Sequence, residues 1–262
     1  LYFLTISIFL FSCSNKQTQN IELKGNAMGT FYFIKLIDVP KKIKKEKITL
    51  EINKTLLEIN KIVSNWDSLS EISILNNNKT LLPIKVSNNL LDVFKTANFI
   101  HINSNGYFDI TLDPIINLWG FGYKKDKIKK EPPLKEDVLE TLSLVNQKKY
   151  LKINQSNNEL IKKNKDVSFN LSAIGKGYGI DLIGKKLKNL KINNFLINIG
   201  GDILTNGYNS NKQDWVIGIE NPNLQQQFIK EIINVTNKGC LLYTSDAADD
   251  SLRVDLGGRR II

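Results

Sequence analysis

The sequence predicts an α+β fold in a single continuous domain, and three observations carry that reading. Helix-like and strand-like segments are mixed without the regular alternation that a doubly wound parallel sheet requires. No internal repeat and no proline- or glycine-rich linker divides the chain. At 262 residues, with 42% hydrophobic and 24% charged content, the chain is long enough to bury a sizeable core.

The elements follow in order. Residues 1–12 form an almost unbroken apolar run, the length of a signal-peptide core and too short to cross a bilayer of roughly 30 Å. Leu10-Phe11-Ser12-Cys13 resembles a bacterial lipoprotein box, in which Cys13 is lipidated after cleavage. Because the chain starts at Leu1 without a basic n-region, residues 1–12 read as a partial signal peptide and residues 13–20 as a polar tether. Residues 21–36 alternate as a strand, with Ala27-Met28-Gly29-Thr30 as a bend. Ile48, Ile52, Leu56, Ile59 and Val63 recur at helical spacing, so an amphipathic helix ends near Asn65 and Trp66 emerges just beyond it.

Ser87 is a cap for a second helix carrying Leu90, Leu91, Phe94, Ala97 and Ile100, which Asn105-Gly106 terminates. A third helix, over residues 134–145, follows Pro132-Pro133. Residues 150–161 read as a hairpin turning at Ser156-Asn157-Asn158. A strand over 167–171 leads into a helix over 174–190, and 195–203 and 215–219 read as further strands.

Composition narrows the function. The net charge of +10 comes from scattered lysines among many asparagines, with no aromatic-interleaved basic stripe, which argues against a nucleic-acid reader and for a solvated surface that favours anionic lipid or ligands. His101 is the only histidine and lies on a predicted helix, which excludes a histidine-pair zinc site and a Ser–His triad; a satisfied, partly buried side chain is expected there.

Two segments carry chemistry. Gly106-Tyr107-Phe108-Asp109 sets two aromatic faces beside a carboxylate, suited to stacking on a planar ring and accepting hydrogen bonds from it; each aromatic taken singly is as well explained by a core position. Trp119 and Phe121 read as core. Gly175-Lys176-Gly177-Tyr178-Gly179 at a helix start suits a diphosphate, although close helix packing explains the glycines equally well. It is neither a Walker loop nor a Rossmann fingerprint. Gly200-Gly201-Asp202 reads as a bulge or a plain hairpin turn.

Taken in order, these motifs resemble the ApbE flavin transferases (FAD:protein FMN transferases) over residues 21–238. The resemblance rests on Ala27-Met28-Gly29-Thr30, Ser64-Asn65-Trp66 with Ser70-Glu71-Ile72-Ser73 and Asn76, and Gly106-Tyr107-Phe108-Asp109 with Pro114 and Trp119-Gly120-Phe121-Gly122. It continues through residues 171–181, Ile199-Gly200-Gly201-Asp202 and residues 215–222. It implies a single T-fold-like α+β domain of mixed sheets and packed helices. By the same resemblance, Met28, Trp66, Tyr107, Phe108, Asp109, Asn170 and Lys176 match FAD-site positions, and Ala173 matches a residue whose backbone carbonyl helps bind Mg2+. The implied reaction moves FMN from FAD to a threonine of an acceptor flavoprotein of the respiratory electron-transfer type and releases AMP. The implied setting is the periplasmic side of the bacterial inner membrane, through a lipid anchor.

Two departures stand out. Asn170 occupies a position where the family usually has aspartate, which keeps an acceptor and loses a charge. Residues 239–262 contain all three arginines and no lysine or asparagine, and in place of the family's remaining metal-ligand stretch they resemble foreign coding material. The expectation is that the 262-residue chain as it stands does not transfer flavin.

Overall fold

A computed structural model describes residues 17–123, 132–220 and 229–241. Residues 1–12, Cys13 and residues 242–262 lie outside the described residues, so the signal, lipidation and most of the tail readings fall there. Among the described residues no helix is long and apolar enough to cross a membrane.

The chain opens with a hairpin of β1 (Thr18–Ala27) and β2 (Thr30–Pro40), followed by α1 (Lys45–Val63), α2 (Glu71–Asn77), β3 (Ile84–Lys85) and α3 (Asn88–Asn103). A 3-10 turn at Ile110–Leu112 runs into α4 (Asp113–Leu118); α5 (Lys135–Leu142), α6 (Gln147–Tyr150), β4 (Leu151–Asn154) and β5 (Glu159–Lys162) follow. The last part contains α7 (Ser172–Asn189), β6 (Asn194–Ile199), β7 (Asp202–Asn206), β8 (Trp215–Glu220), β9 (Ile229–Val235) and β10 (Gly239–Leu241). The α+β class is therefore as the sequence predicts.

Five antiparallel strands in the order β1-β2-β6-β7-β10 make the main sheet. Ile34 pairs with Ile197 and Leu36 with Phe195, so alternate residues of both strands face one side. On that side they bury Ile48, Ile52 and Leu56 of α1 and Ile183 and Leu187 of α7. A second core joins the far half of α1 to α2 and α3, around Ile59, Ile72, Leu90 and Phe94, and takes in Phe169 and Leu171. Ser70 and Ser87 start α2 and α3 by accepting the amide hydrogens of Ser73 and Leu90, which is why both helices begin where they do.

The structure corrects the sequence reading at three places. Residues 195–203 are two strands, not one, because Gly200 and Gly201 take φ +54° and +92° and reverse the chain between β6 and β7, the hairpin turn of the two readings of Gly200-Gly201-Asp202. Residues 167–171 are extended but belong to no sheet, because their backbone groups bond to side chains instead of to a neighbouring strand. Trp119 and Phe121, expected in the core, are 46% and 39% exposed.

Candidate active site

The extended segment 167–171 is the piece around which the site is assembled. Asn76 donates from Nδ2 to the Phe169 carbonyl (2.9 Å) and accepts the Phe169 N–H at Oδ1 (2.8 Å). Asn65 donates to the same carbonyl (2.8 Å) and accepts the Leu171 N–H (3.0 Å). A carboxamide can donate from its NH2 and accept at its oxygen, so two asparagines do for this segment what a neighbouring strand does in a ladder. Trp66 follows Asn65 directly and is 62% exposed, so α1 delivers an open indole face beside the segment.

The loop preceding α4 closes from the other side. The Asn170 N–H donates to the Ile110 carbonyl at 2.7 Å. Asp113, fully buried, accepts from Ser168 Oγ (2.7 Å) and Asn170 Nδ2 (3.3 Å). Asn170 Oδ1 accepts the N–H of Ser172, the first residue of α7, at 3.0 Å. Burial, and then the Asp113 carboxylate beside it, push the Tyr123 hydroxyl up to about 12, so it stays protonated.

Within that loop the three expected ring-site residues separate in role. Tyr107 is 93% exposed, while Phe108 is half-buried against the second core. Asp109 Oδ1 accepts both the N–H and the hydroxyl of Thr111, and Oδ2 accepts the Gln147 N–H at 2.8 Å. Thr111 of the loop and Gln147 of α6 thus fix the orientation of this carboxylate, and Oδ2, with a single bond, keeps a lone pair for a further donor. His101 Nδ1 donates to the Phe108 carbonyl at 2.7 Å, a partner that can only accept, so that nitrogen carries the proton. The buried, satisfied histidine is as the sequence predicts.

The α7 side is built by close approach. Gly175 and Gly179 lie inside the helix, which starts at Ser172, and the Gly175 N–H is already bonded to the Leu171 carbonyl. Gly175 and Gly179 therefore offer packing room, whereas Gly177 has open space where its Cβ would stand. A Cβ at Gly179 would stand 3.3 Å from Met28 Sδ and 3.4 Å from Ile59 Cδ1, and one at Gly175 would stand 3.3 Å from Val63 Cγ2. Met28 itself sits at φ +54° in the two-residue turn between β1 and β2. A left-handed methionine costs roughly 1 kcal/mol or more, so this residue is present for its side chain and not for the turn.

The second hairpin tip, Gly200-Gly201, lies beside the first: the Gly200 N–H donates to the Phe31 carbonyl. Lys176 reaches across to it, 3.3 Å from the Gly200 carbonyl and 3.5 Å from Asp202 Oδ1. That carboxylate oxygen is otherwise unpartnered, and burial raises the Asp202 pKa despite the ammonium nearby. Lys176 is thus a partly exposed cation held loosely at the rim.

The structure accordingly brings Met28 and Lys176 together at the start of α7, and Trp66, Phe108 and Asn170 around segment 167–171. Sequence reasoning missed the framework: Asn65 and Asn76 as backbone partners, and Asp113, Ser168 and Gln147 as buried polar supports. An aspartate at a helix start within an apolar run was the one available signal for Asp113. For the metal the fit is incomplete: among the described residues no group of three or more His, Cys, Asp or Glu could hold an ion. Ala173, exposed in the first turn of α7, supplies a backbone carbonyl only.

Known proteins resemble this chain in sequence and in fold. The sequence profile of the ApbE family matches residues 28–260, a span that includes most of the segment after Lys238. The FAD:protein FMN transferase of Vibrio cholerae is 32% identical over 231 residues, and that of Haemophilus influenzae 32% over 238, covering 87% and 89% of this chain. These matches span 66% and 68% of those relatives, about two thirds of their length. Among solved structures, the flavin transferase ApbE of Vibrio cholerae superposes with a TM-score of 0.78 at 31% identity, covering 85% of this chain and 71% of that one. The apo flavinyl transferase ApbE of Pseudomonas stutzeri gives 0.75 at 25% identity, covering 85% and 70%.

Proposed function

The chain belongs to the ApbE family, and from that premise we propose that it is a flavin transferase that moves FMN from FAD to a threonine of an acceptor protein. The observation that carries the reading is the gathering, around segment 167–171 and the start of α7, of Trp66, Phe108, Asn170, Met28 and Lys176. Those side chains combine an aromatic face, an amide, a thioether and one cation, which is what a planar ring joined to a diphosphate requires.

In this reading Trp66 stacks on the isoalloxazine, with Tyr107 and Phe108 on the facing loop. Lys176, loosely held by Asp202, turns its ammonium to the diphosphate. The acceptor hydroxyl oxygen then forms a bond to the FMN-side phosphorus, the P–O bond to the adenylate breaks, AMP leaves, and the hydroxyl proton is released. The residues bind and orient; none serves as a nucleophile. Mg2+ is the divalent ion proposed to accompany the diphosphate. The Ala173 carbonyl would be one of its ligands, and among the described residues no group of three or more His, Cys, Asp or Glu stands beside it. The proposed acceptor is a respiratory flavoprotein, and the proposed location is the periplasmic side of the inner membrane, with Cys13 lipidated.

The test supplies FAD, Mg2+ and an acceptor bearing a target threonine. AMP release matched by phosphodiester-linked flavin on the acceptor supports the proposal and would overturn the expectation that the 262-residue chain as it stands does not transfer flavin. Free FMN and AMP with a bare acceptor would assign a pyrophosphatase instead, and FAD bound intact without AMP a flavin-binding protein; no quenching of Trp66 fluorescence by FAD refutes the site itself.

A further inference from the structure

We infer that the outward face of α1, with the turn before it, is a docking surface for an anionic lipid bilayer, a role separate from the flavin chemistry. Residues 41–61 carry seven lysines against three glutamates, and all seven lysines are exposed. Within α1, Lys47, Leu50, Lys54, Leu57 and Lys61 recur at intervals of three and four, which aligns them in one stripe along the helix. That stripe lies opposite the buried row of Ile48, Ile52, Ile59 and Val63.

Its two leucines are the unusual part. Leu50 is 67% and Leu57 66% exposed, each between lysines one turn away on either side. A solvated helix face gains nothing from leucines there, whereas a bilayer interface takes up both the cations and the apolar side chains. Of the three glutamates, Glu51 is already neutralised by Lys186 of α7 at 2.7 Å, leaving Glu46 and Glu58 against seven cations.

The entry point of the chain selects the occupant. The Lys41 N–H donates to the Gln17 carbonyl at 3.0 Å, so the polypeptide preceding residue 17, with its apolar run at 1–12, joins the fold beside this lysine turn. A surface that meets lipid next to an apolar leader supplies the second of the two signals that stable membrane attachment needs. The lysine turn itself is remote from the candidate site, toward which the stripe runs as far as Lys61. β2 runs eleven residues from the tip next to Met28 to Pro40, about 35 Å, so the lysine turn and the site lie at opposite ends of the sheet.

The experiment measures binding of the full, unlipidated chain to phosphatidylcholine vesicles with and without phosphatidylglycerol. The expected result is tighter binding to the anionic vesicles that weakens as salt rises. K47Q/K54Q/K61Q should lower that affinity roughly tenfold to a hundredfold, at about fivefold or less per lysine. L50S/L57S should lower it several-fold while leaving the salt dependence intact. Because all five positions are exposed, unchanged melting of the variants checks that folding is not at issue. Equal binding to both vesicle types overturns the inference, as does full retention by both variants. Release of the vesicle-bound chain by short duplex DNA would assign the surface to nucleic acid and overturn it as well.

Discussion

Replacing Asn76 by alanine tests whether segment 167–171 is held by side-chain amides. The Asn76 carboxamide is 5% exposed as a residue and makes two bonds to Phe169, at 2.8 and 2.9 Å. After truncation the Phe169 carbonyl keeps Asn65 Nδ2, but the Phe169 N–H is left without its acceptor beside a core in which Phe169 is fully buried. An orphaned buried donor costs ~1–3 kcal/mol and a lost bond about 1 more, so a loss of ~2–4 kcal/mol is expected. At ~2–4 °C per kcal/mol for a chain of this size, the melting temperature falls by roughly 4–16 °C.

The assay is urea unfolding of both proteins, with the denaturant slope checked for constancy. Asn76→Asp refines it: the acceptor for Phe169 N–H remains, but an oxygen now faces the Phe169 carbonyl, so this near-isosteric change should cost at least as much as alanine. Titration of FAD well below the melting point should show weakened affinity in both variants, since the displaced segment also carries Asn170. A loss under about 0.5 kcal/mol at unchanged slope would refute the reasoning, for surface-like substitutions fall in that range.

Two further perturbations follow. Asn170→Asp places a second carboxylate against buried Asp113, now 3.3 Å from the Asn170 amide, so FAD affinity and stability should both fall; adding Asp113→Asn should restore much of each, and a strictly additive double mutant would exclude the coupling. Lys162 is fully buried and reaches only the Leu75 and Asn76 carbonyls at 3.4 Å; burial, reinforced by nearby Lys79, brings its pKa down to about 8. Because the unfolded chain then holds the proton more tightly than the folded one, this group makes stability rise between pH 8 and the ordinary lysine value and contributes its full penalty below. Lys162→Met should flatten that rise in urea melts, and an unchanged slope would show the lysine to be solvated.

The periodic elements were legible because hydrophobic spacing acts locally. The 3- and 4-residue recurrence of Ile48 through Val63 gave α1 within three residues at each end, and Ser87 marked α3. Strand 167–171 was misread for a physical reason: alternating Val167, Phe169 and Leu171 does describe an extended chain with one buried side, but the pattern carries no information on what supplies the hydrogen bonds. The supplier, Asn65 and Asn76, is about a hundred residues away in sequence for the first and 93 for the second. Trp119 and Phe121 were misplaced because an aromatic side chain is apolar whether it faces a core or a ligand.

The same distant pairing explains why asparagine, and not aspartate, frames this site. Segment 167–171 presents both N–H and C=O groups, and an ionised carboxylate could answer only the first. A neutral amide answers both without bringing a charge into the core, so the frame adds no field of its own beside the ligand region. Charge at the site is then carried by Asp109, which Thr111 and Gln147 hold, by Asp113, which three side chains surround, and by the Lys176–Asp202 pair at the rim. Lys176 is the more exposed member of that pair, 29% against 19%, and at 3.5 Å the ammonium stands beyond the usual length of a charge-assisted bond, so the carboxylate holds it weakly. A diphosphate arriving at the start of α7 would therefore meet a cation that is positioned but not neutralised, which makes Asp202→Asn, by freeing Lys176 from its anchor, more harmful to orientation than to charge.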